Sequence, residues 1–584
     1  MNGADSRSPL EGPKRTQSPP PNPAPARTLA AAGWLDKSRT VAEINFDRWL
    51  VPPAALCIHL CIGMAYGFSV FWLPLTRAIG IDRSIAAPAE LSWLGKLTTT
   101  QYDWDKPILG WVYTLFFIFL GCSAALLGPW LERSGPRKAG VVAACCWCGG
   151  MLVSAIGIRW HQLWLVWLGS GVIGGIGLGL GYISPVSTLV KWFPDRRGMA
   201  TGMAIMGFGG GAMIGSPLAD RLMAYFAGPD SVGVWQTFVV LAILYFAFMM
   251  LGAMAYRIPR EGWRPVADSG SLGTDASTTN PTPVQIADTA TRFVPVDVAW
   301  RTPQFWLLWA VLCLNVSAGI GVIGMASPML QEIFGGRLIG VDLPFESLDP
   351  QQARQVAAIG AGFTGLLSLF NIGGRFFWAS LSDIIGRKLT YAIFFLLGGI
   401  LYAAVPAINK GGAVSLFVAA FCLILTMYGG GFAAIPAYLA DLFGNKMVGA
   451  IHGRLLTAWS VAGVLGPVLV NYWNDYQVRS GVPRAEAYHQ TMLILAALLA
   501  VGFVCNLAVR PVADSLFETW EPHPHEAASR PNALSTTDEA TDRDASGGQR
   551  WLKRFAFWSI VALPLGWGVW VTLRQASVLL LGPA

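Results

Sequence analysis

Thirteen apolar runs, each long enough to cross a bilayer as a helix, follow one another along this chain. They lie at roughly 50–76, 107–130, 139–158, 162–190, 199–220, 233–256, 303–330, 356–381, 389–408, 413–440, 447–473, 488–509 and 555–573. Inside hydrocarbon every backbone N–H and C=O must find a partner within the protein, so a lipid-exposed run of this length forms a helix. The expected fold class is therefore an all-α polytopic membrane protein. Composition agrees: 54% of residues are apolar and only 13% charged, against about 25% charged in a soluble domain. A surface so poor in charge suits lipid, and the bilayer is the first expected partner. The net charge of +7 brings no basic stripe with interleaved aromatics, so no nucleic-acid partner is expected.

The runs group as six, a polar stretch, six, a second polar stretch, and one. This divides the chain into a tail expected to lack structure (1–47), a six-helix half (48–256), a linker (257–302), a second half (303–510), a second linker (511–550) and an extra transmembrane helix (551–584). The start carries no apolar core of a secretory signal. With the N-terminus inside, 27 Lys and Arg fall on the cytoplasmic side and 12 on the other. The excess predicts a cytoplasmic N-terminus and residence in the cell (inner or plasma) membrane.

All nine cysteines stand in apolar runs. The cluster Cys145-Cys146-Trp147-Cys148 has no polar ligand beside it, and thiolates are needed to hold a metal. Neither a disulfide framework, a metal site nor a cofactor is expected.

A shift of 251 residues superposes Glu132 on Asp383, Gly135 on Gly386, Arg137 on Lys388, Pro185 on Pro436, Gly198 on Gly449, Gly202 on Gly453 and Gly215 on Gly466. One offset serves two loops and three helices. Six runs separate the copies, so the two halves share one orientation, a parallel repeat. The loops read Gly128-Pro-Trp-Leu-Glu132-Arg-Ser-Gly135-Pro-Arg137-Lys138 and Ser380-Leu-Ser-Asp383-Ile-Ile-Gly386-Arg387-Lys388. A tight glycine turn joins two helices, the acid is placed to meet a neighbouring helix N-terminus, and the bases are placed to anchor at the interface. The glycine-rich run Gly174–Gly181 lies within an apolar span with no Lys-Ser/Thr after it. It reads as helix packing, as do Gly207, Gly211 and Gly215.

Arg375, in Asn371-Ile-Gly-Gly-Arg375, lies two turns before Asp383 and deep in its span. An arginine at that depth faces protein or a watery cavity, and its planar fork suits a carboxylate. A structural ion pair is the alternative. His59, mid-span, is a candidate proton or anion site or else a satisfied polar residue in the bundle. Arg454 sits nearer the end of its span, as an interface or gate residue.

The loop signatures resemble those of the major facilitator superfamily. The stretches Gly181–Gly202, Asn371–Lys388 and Ile435–Gly444 resemble the oxalate/formate antiporter family within it, over about 50–510. The resemblance implies a major facilitator fold, two six-helix halves about a central cavity. It also implies a dicarboxylate held by an eighth-helix arginine and an eleventh-helix lysine. The arginine corresponds to Arg375, and cavity aromatics would correspond to Tyr66, Tyr182, Tyr428 and Phe432. The lysine position is Trp459, a departure that leaves one cation. Phe557–Leu573 resembles the one-helix small subunit encoded beside some such transporters.

The sequence therefore predicts a transporter and no enzyme. Its expected cargo is a small organic anion with one carboxylate, carried by alternating access with proton symport or anion exchange, in a monomer. Substrate contacts are expected from Arg375, Tyr66, Tyr182, Tyr428, Phe432 and Trp459, and gating from Glu132, Gly135, Arg137, Asp383, Gly386 and Lys388. The alternatives are a dicarboxylate exchanger, a drug/proton antiporter, which would be expected to carry an arginine where this chain reads Leu165–Gly171, and an anion sensor.

Overall fold

The computed structural model describes residues 33–581 apart from 44, 82–83, 89, 261–262, 264–291 and 520–541. The expected tail before residue 33 and the middles of both linkers lie outside the described residues. Among the described residues, thirteen helices are long and apolar enough to span a membrane: α1 Arg48–Leu75, α2 Ile108–Ser134, α3 Pro136–Arg159, α4 Leu163–Trp192, α5 Arg197–Phe226, α6 Val234–Ala255, α7 Pro303–Ile323, α8 Gln351–Ile385, α9 Arg387–Lys410, α10 Val414–Phe443, α11 Val448–Gly466, α12 Glu486–Ala508 and α13 Arg550–Arg574.

Packing follows the repeat. In the first half α1 lies on α5 and α6, α2 on α4, and α3 on α4 and α6. In the second half α7 lies on α11 and α12, α8 on α10, and α9 on α10 and α12. The halves meet along two related seams, α2 with α11 and α5 with α8. Small residues allow the close approach. A methyl group built on Gly202 would stand 2.9 Å from the Arg375 carbonyl oxygen. One built on Gly453, its repeat mate, would overlap the carbonyl of Ala124. Within the halves, Gly215 abuts Met64 of α1, and Gly466 abuts Ser317 and Ile320 of α7.

The long helices are not uniform. α1 is α-helical over Val51–Ile62 and then a 3₁₀ helix over Gly63–Phe71, well beyond the usual three or four residues. Gly63 and Gly211 press the backbones of α1 and α5 together at this change. α4 opens with one α-helical turn, Leu163–Val166, and then runs through a π-helical stretch, Trp167–Ile173, where Gly169 abuts Gly150 and Ser154 of α3.

Several residues outside the twelve-helix bundle are placed as well. Residues 33–43 and 45–47, assigned to the structureless tail, lie against the face that carries both loop motifs, here the motif face. Thr40 and Ala42 are buried, and the Ala42 amide donates to the Ile258 carbonyl at 2.9 Å. Burial of these few side chains holds a segment whose composition gave no sign of it. The linkers meet in a two-stranded ribbon, β1 (Arg292–Phe293) with β2 (Glu518–Thr519). The helix carrying α13 begins at Asp542, inside the expected second linker. α13 lies across the α5–α8 seam, touching α1 and α5 of one half and α8 of the other. Leu565 packs on Gly210, Thr572 on Gly365, Arg221 stacks over Trp567 at 5.2 Å, and Arg554 pairs with Asp47.

Candidate functional site

At the centre of the bundle Arg375 is fully buried. Its shaft runs between Gly209 of α5 and Gly429 of α10, and a methyl group on either would crowd it. Nε donates to the Asn371 side chain one turn back, at 3.2 Å, and Nη1 donates across the seam to the Ile205 carbonyl at 3.0 Å. Nη2 is buried and has no hydrogen bond among the described residues, although the Tyr66 hydroxyl lies alongside. The guanidinium carbon sits 5.8 Å from the Tyr66 ring centre, 5.7 Å from that of Phe208 and 5.6 Å from that of Phe432, within cation–π range. No carboxylate pairs with it among the described residues. A bare buried cation is costly, and the rings and two carbonyl-type oxygens offset only part of that cost.

The structure brings all six expected contact residues into one cluster. Trp459 packs on Phe432 at 4.7 Å, Tyr182 at 5.3 Å, Phe208 at 5.4 Å and Tyr66 at 6.3 Å between ring centres. Tyr428 packs on Phe432 at 5.4 Å, and its hydroxyl meets that of Tyr66 at 3.2 Å, joining the halves. The Trp459 indole N–H and the Tyr182 hydroxyl are buried without a hydrogen-bond partner among the described residues. The cage is thus rich in unsatisfied donors. That is what an acceptor-only group such as a carboxylate requires.

His59 stands behind this cage. Nδ1 faces the Ala204 carbonyl at 2.6 Å and Nε2 the Tyr182 carbonyl at 3.2 Å. Both oxygens are backbone carbonyls of its own half, and a neutral imidazole donates to one of them, so His59 ties α1 to α5 or α4. Arg454 lies away from the cage, paired with Asp297 at 2.7 Å.

The motif acids close one end of the molecule. Asp383 accepts from the amides of Gly198 and Met199 at 2.8 and 2.9 Å, capping α5 of the other half. Glu132 accepts from the Gly449 amide at 3.2 Å, capping α11 of the other half, and from Ser187 at 2.9 Å. Each acid meets the positive end of a helix dipole. The partner glycines leave no room for a side chain, since a methyl group on Gly198 would strike the Ala379 carbonyl and Asp383. Arg387 adds bonds to Asp383, Ser382 and Asp441, and Arg197 joins Asp441 from across the seam at 2.6 Å. Gly135 and Gly386, both at φ 87°, make the turns, a backbone region that favours glycine. The bases, expected at a membrane interface, bond to backbone carbonyls, three of the four at helix ends. Arg137 donates to those of Trp34 and Tyr256, and Lys388 to those of Leu507 and Val509. They tie each loop to the C-terminal, negative end of α6 or α12.

Replacing Gly198 with valine is therefore expected to hold the motif face apart. Overpacking costs about 1–3 kcal/mol, roughly five- to 150-fold in the closed population. A single cysteine at position 201, otherwise buried, should then react correspondingly faster with an impermeant maleimide. An unchanged rate would show that closure does not depend on this contact.

Sequence reading passed over Phe208, Asn371 and His452. The repeat held a signal for the first, because the 251-residue shift carries Phe208 onto Trp459. The two rings face each other across the pseudo-two-fold.

Comparison with known proteins agrees with the fold. The sequence pattern of the Major Facilitator Superfamily matches residues 55–345 and 338–582. An oxalate:formate antiporter of Oxalobacter formigenes is 27% identical over 72% of this chain and 83% of its own length. An apicoplast pyruvate carrier of Toxoplasma gondii is 26% identical over 74% and 84%. Among solved structures, an E. coli fucose:proton symporter superposes with a TM-score of 0.52 at 12% identity, over 80% of this chain and 100% of that one. A proton:xylose symporter superposes with a TM-score of 0.53 at 15% identity, over 81% and 97%. Thirteen spanning helices, a parallel repeat with two related seams, and a pattern match over both halves make this chain a transporter-type integral membrane protein that belongs to the Major Facilitator Superfamily.

Proposed function

We propose that the protein is a secondary active transporter of small monocarboxylates that works by alternating access. The observation carrying this reading is the buried Arg375 Nη2, which lacks a hydrogen bond among the described residues and lies in a cage of further unpartnered donors. A carboxylate would accept from Nη2 and from the Trp459 and Tyr182 donors, and would neutralise the one buried charge. A dianion would leave a net negative charge in an aromatic, low-dielectric setting. The names of relatives, a pyruvate carrier and an oxalate:formate antiporter, support the substrate class. The second name also supports a runner-up reading, an exchanger that admits dicarboxylates, and the single cation weighs against it. In this mechanism the motif face is the cytoplasmic one. The halves rock about the cage, and opening breaks the Asp383 cap on α5 and the Glu132 cap on α11 together. The cage closes on the other side through the Tyr66–Tyr428 contact. α13, which bridges the α5–α8 seam, rides on both halves during the motion.

Purified protein in liposomes loaded with unlabelled pyruvate should exchange external labelled pyruvate or formate, and excess oxalate should compete poorly. Oxalate exchange that excess pyruvate does not inhibit would overturn the monocarboxylate reading.

A further inference from the structure

Between the cage and the closed gate lies a histidine that the carboxylate site does not use, beside a tyrosine that the site shares. His452, in the first turns of α11, is fully buried, and neither ring nitrogen has a hydrogen-bond partner among the described residues. Its ring lies 5.9 Å from that of Tyr182 on α4, across the interface between the halves. The Tyr182 hydroxyl is also buried and unpartnered. A neutral imidazole brings one donor and one acceptor, and leaving both unmet in a protein interior is unfavourable.

The repeat shows that the frame does not require this arrangement. A shift of 251 residues carries His452 onto Thr201 and Tyr182 onto Ala433. At that related place Thr201 donates to the Ala433 carbonyl at 2.7 Å, joining α5 to α10 across the halves. A small hydroxyl and a backbone oxygen therefore satisfy the same contact fully. The chain instead carries a titratable ring beside a phenol, with both left open.

Depth makes the pair a link between two layers. His452 follows Gly449, whose amide holds Glu132, by three residues, and precedes Trp459 of the cage by seven. The Tyr182 ring touches both, at 5.3 Å from Trp459 and 5.9 Å from His452. The charged groups on the packed elements are otherwise engaged. On α2 and α4, Glu132 and Lys191 hold each other. On α10, Asp441 is paired with Arg197 and Arg387, and on the short helix Val296–Ala299, Asp297 is paired with Arg454. His59 on α1 is strapped to carbonyls, and Tyr438 of α10 has an unpartnered hydroxyl. Arg375 of α8 stands on the far side of the cage.

Resting on the monocarboxylate reading, we propose that His452, reached through the Tyr182 hydroxyl, binds the proton that is transported with the carboxylate. With the gate closed, the phenol passes its proton through one bridging water to an imidazole nitrogen and regains one from the cage side. When the N-terminus of α11 leaves Glu132, the imidazolium returns the proton to the motif face. Coupling follows from charge. A protonated carrier without substrate would bury two cations, Arg375 and His452, and the bound carboxylate removes the excess. Proton and monocarboxylate together add no net charge.

The test uses full-length protein in liposomes with labelled pyruvate, read as accumulation driven by an acid-outside gradient relative to exchange at equal pH. His452→Gln is expected to lower that ratio more than about tenfold. His452→Thr, which copies the related Thr201, is expected to do the same. An internal pH dye should record about one proton entering per pyruvate in the wild type, the stoichiometry that a single titrating imidazole gives. An unchanged ratio in either variant, or pyruvate entry without protons in the wild type, overturns the proton site and leaves the carboxylate reading intact. Absence of pyruvate, formate and oxalate exchange in the wild type overturns the carboxylate reading, and this inference with it.

Discussion

Replacing Arg375 with glutamine is expected to abolish carboxylate transport while the protein still inserts and elutes as a single folded species. Among the described residues the guanidinium supplies the one buried charge of the cage, and its loss leaves a substrate carboxylate desolvated without a partner. Truncating one side of a buried charged hydrogen bond costs about 2–5 kcal/mol, so affinity should fall roughly 30-fold to several thousandfold. Lysine should restore little of this. Its ammonium is a point charge that cannot donate to Asn371 and Ile205 while also presenting a free donor to the cage, as the arginine fork does. Folding should tolerate the change, because an unpaired buried charge contributes little to stability. Labelled-substrate exchange and size-exclusion profiles of both variants check these outcomes. Exchange by Arg375→Gln at more than about a tenth of the wild-type rate would remove arginine from the binding role.

Much of this architecture was readable because it depends on composition and repetition. Length and hydropathy alone locate the thirteen spans. The 251-residue shift finds Gly198, Gly449, Glu132 and Asp383, since both halves use the same contact to close. The sequence did not say that each acid caps a helix of the opposite half. That pairing is tertiary, and a carboxylate near a helix N-terminus looks the same in one chain segment whichever helix supplies the amides. The roles of Arg137 and Lys388 were hidden for a related reason: a base near a helix end suits lipid headgroups and helix-end carbonyls equally well. His59 illustrates another limit. Whether a mid-span histidine meets a substrate or a carbonyl depends on which face of α1 turns inward, and the 3₁₀ stretch that begins at Gly63 alters that phase. His452 went unnoticed because nothing in its local sequence separates it from an interfacial residue. Only the comparison with Thr201 in three dimensions makes its open nitrogens stand out.

Trp459→Lys is expected to widen the cargo from one carboxylate to two. The position is fully buried, and its ring packs on Tyr66, Phe117, Tyr182, Phe208 and Phe432. Tyr66, Phe208 and Phe432 already lie within cation–π range of Arg375, and rings of this cluster would serve an ammonium likewise. The empty variant would hold two cations in one cage and should be less stable than the wild type. A bound dianion would neutralise both. Oxalate should therefore raise the melting temperature of the variant more than pyruvate does, because a ligand that binds only the folded state stabilises it by mass action. The preference for oxalate over pyruvate should rise on the order of 100-fold, about 3 kcal/mol, which is the scale of one desolvated charge pair. Trp459→Phe separates charge from shape. It keeps an aromatic in the cluster and removes the indole N–H with part of the ring, adding no charge, so pyruvate affinity should fall by about tenfold with no gain for oxalate. If lysine and phenylalanine alter the two substrates in parallel, Trp459 acts through packing alone, and the single-charge account of specificity fails.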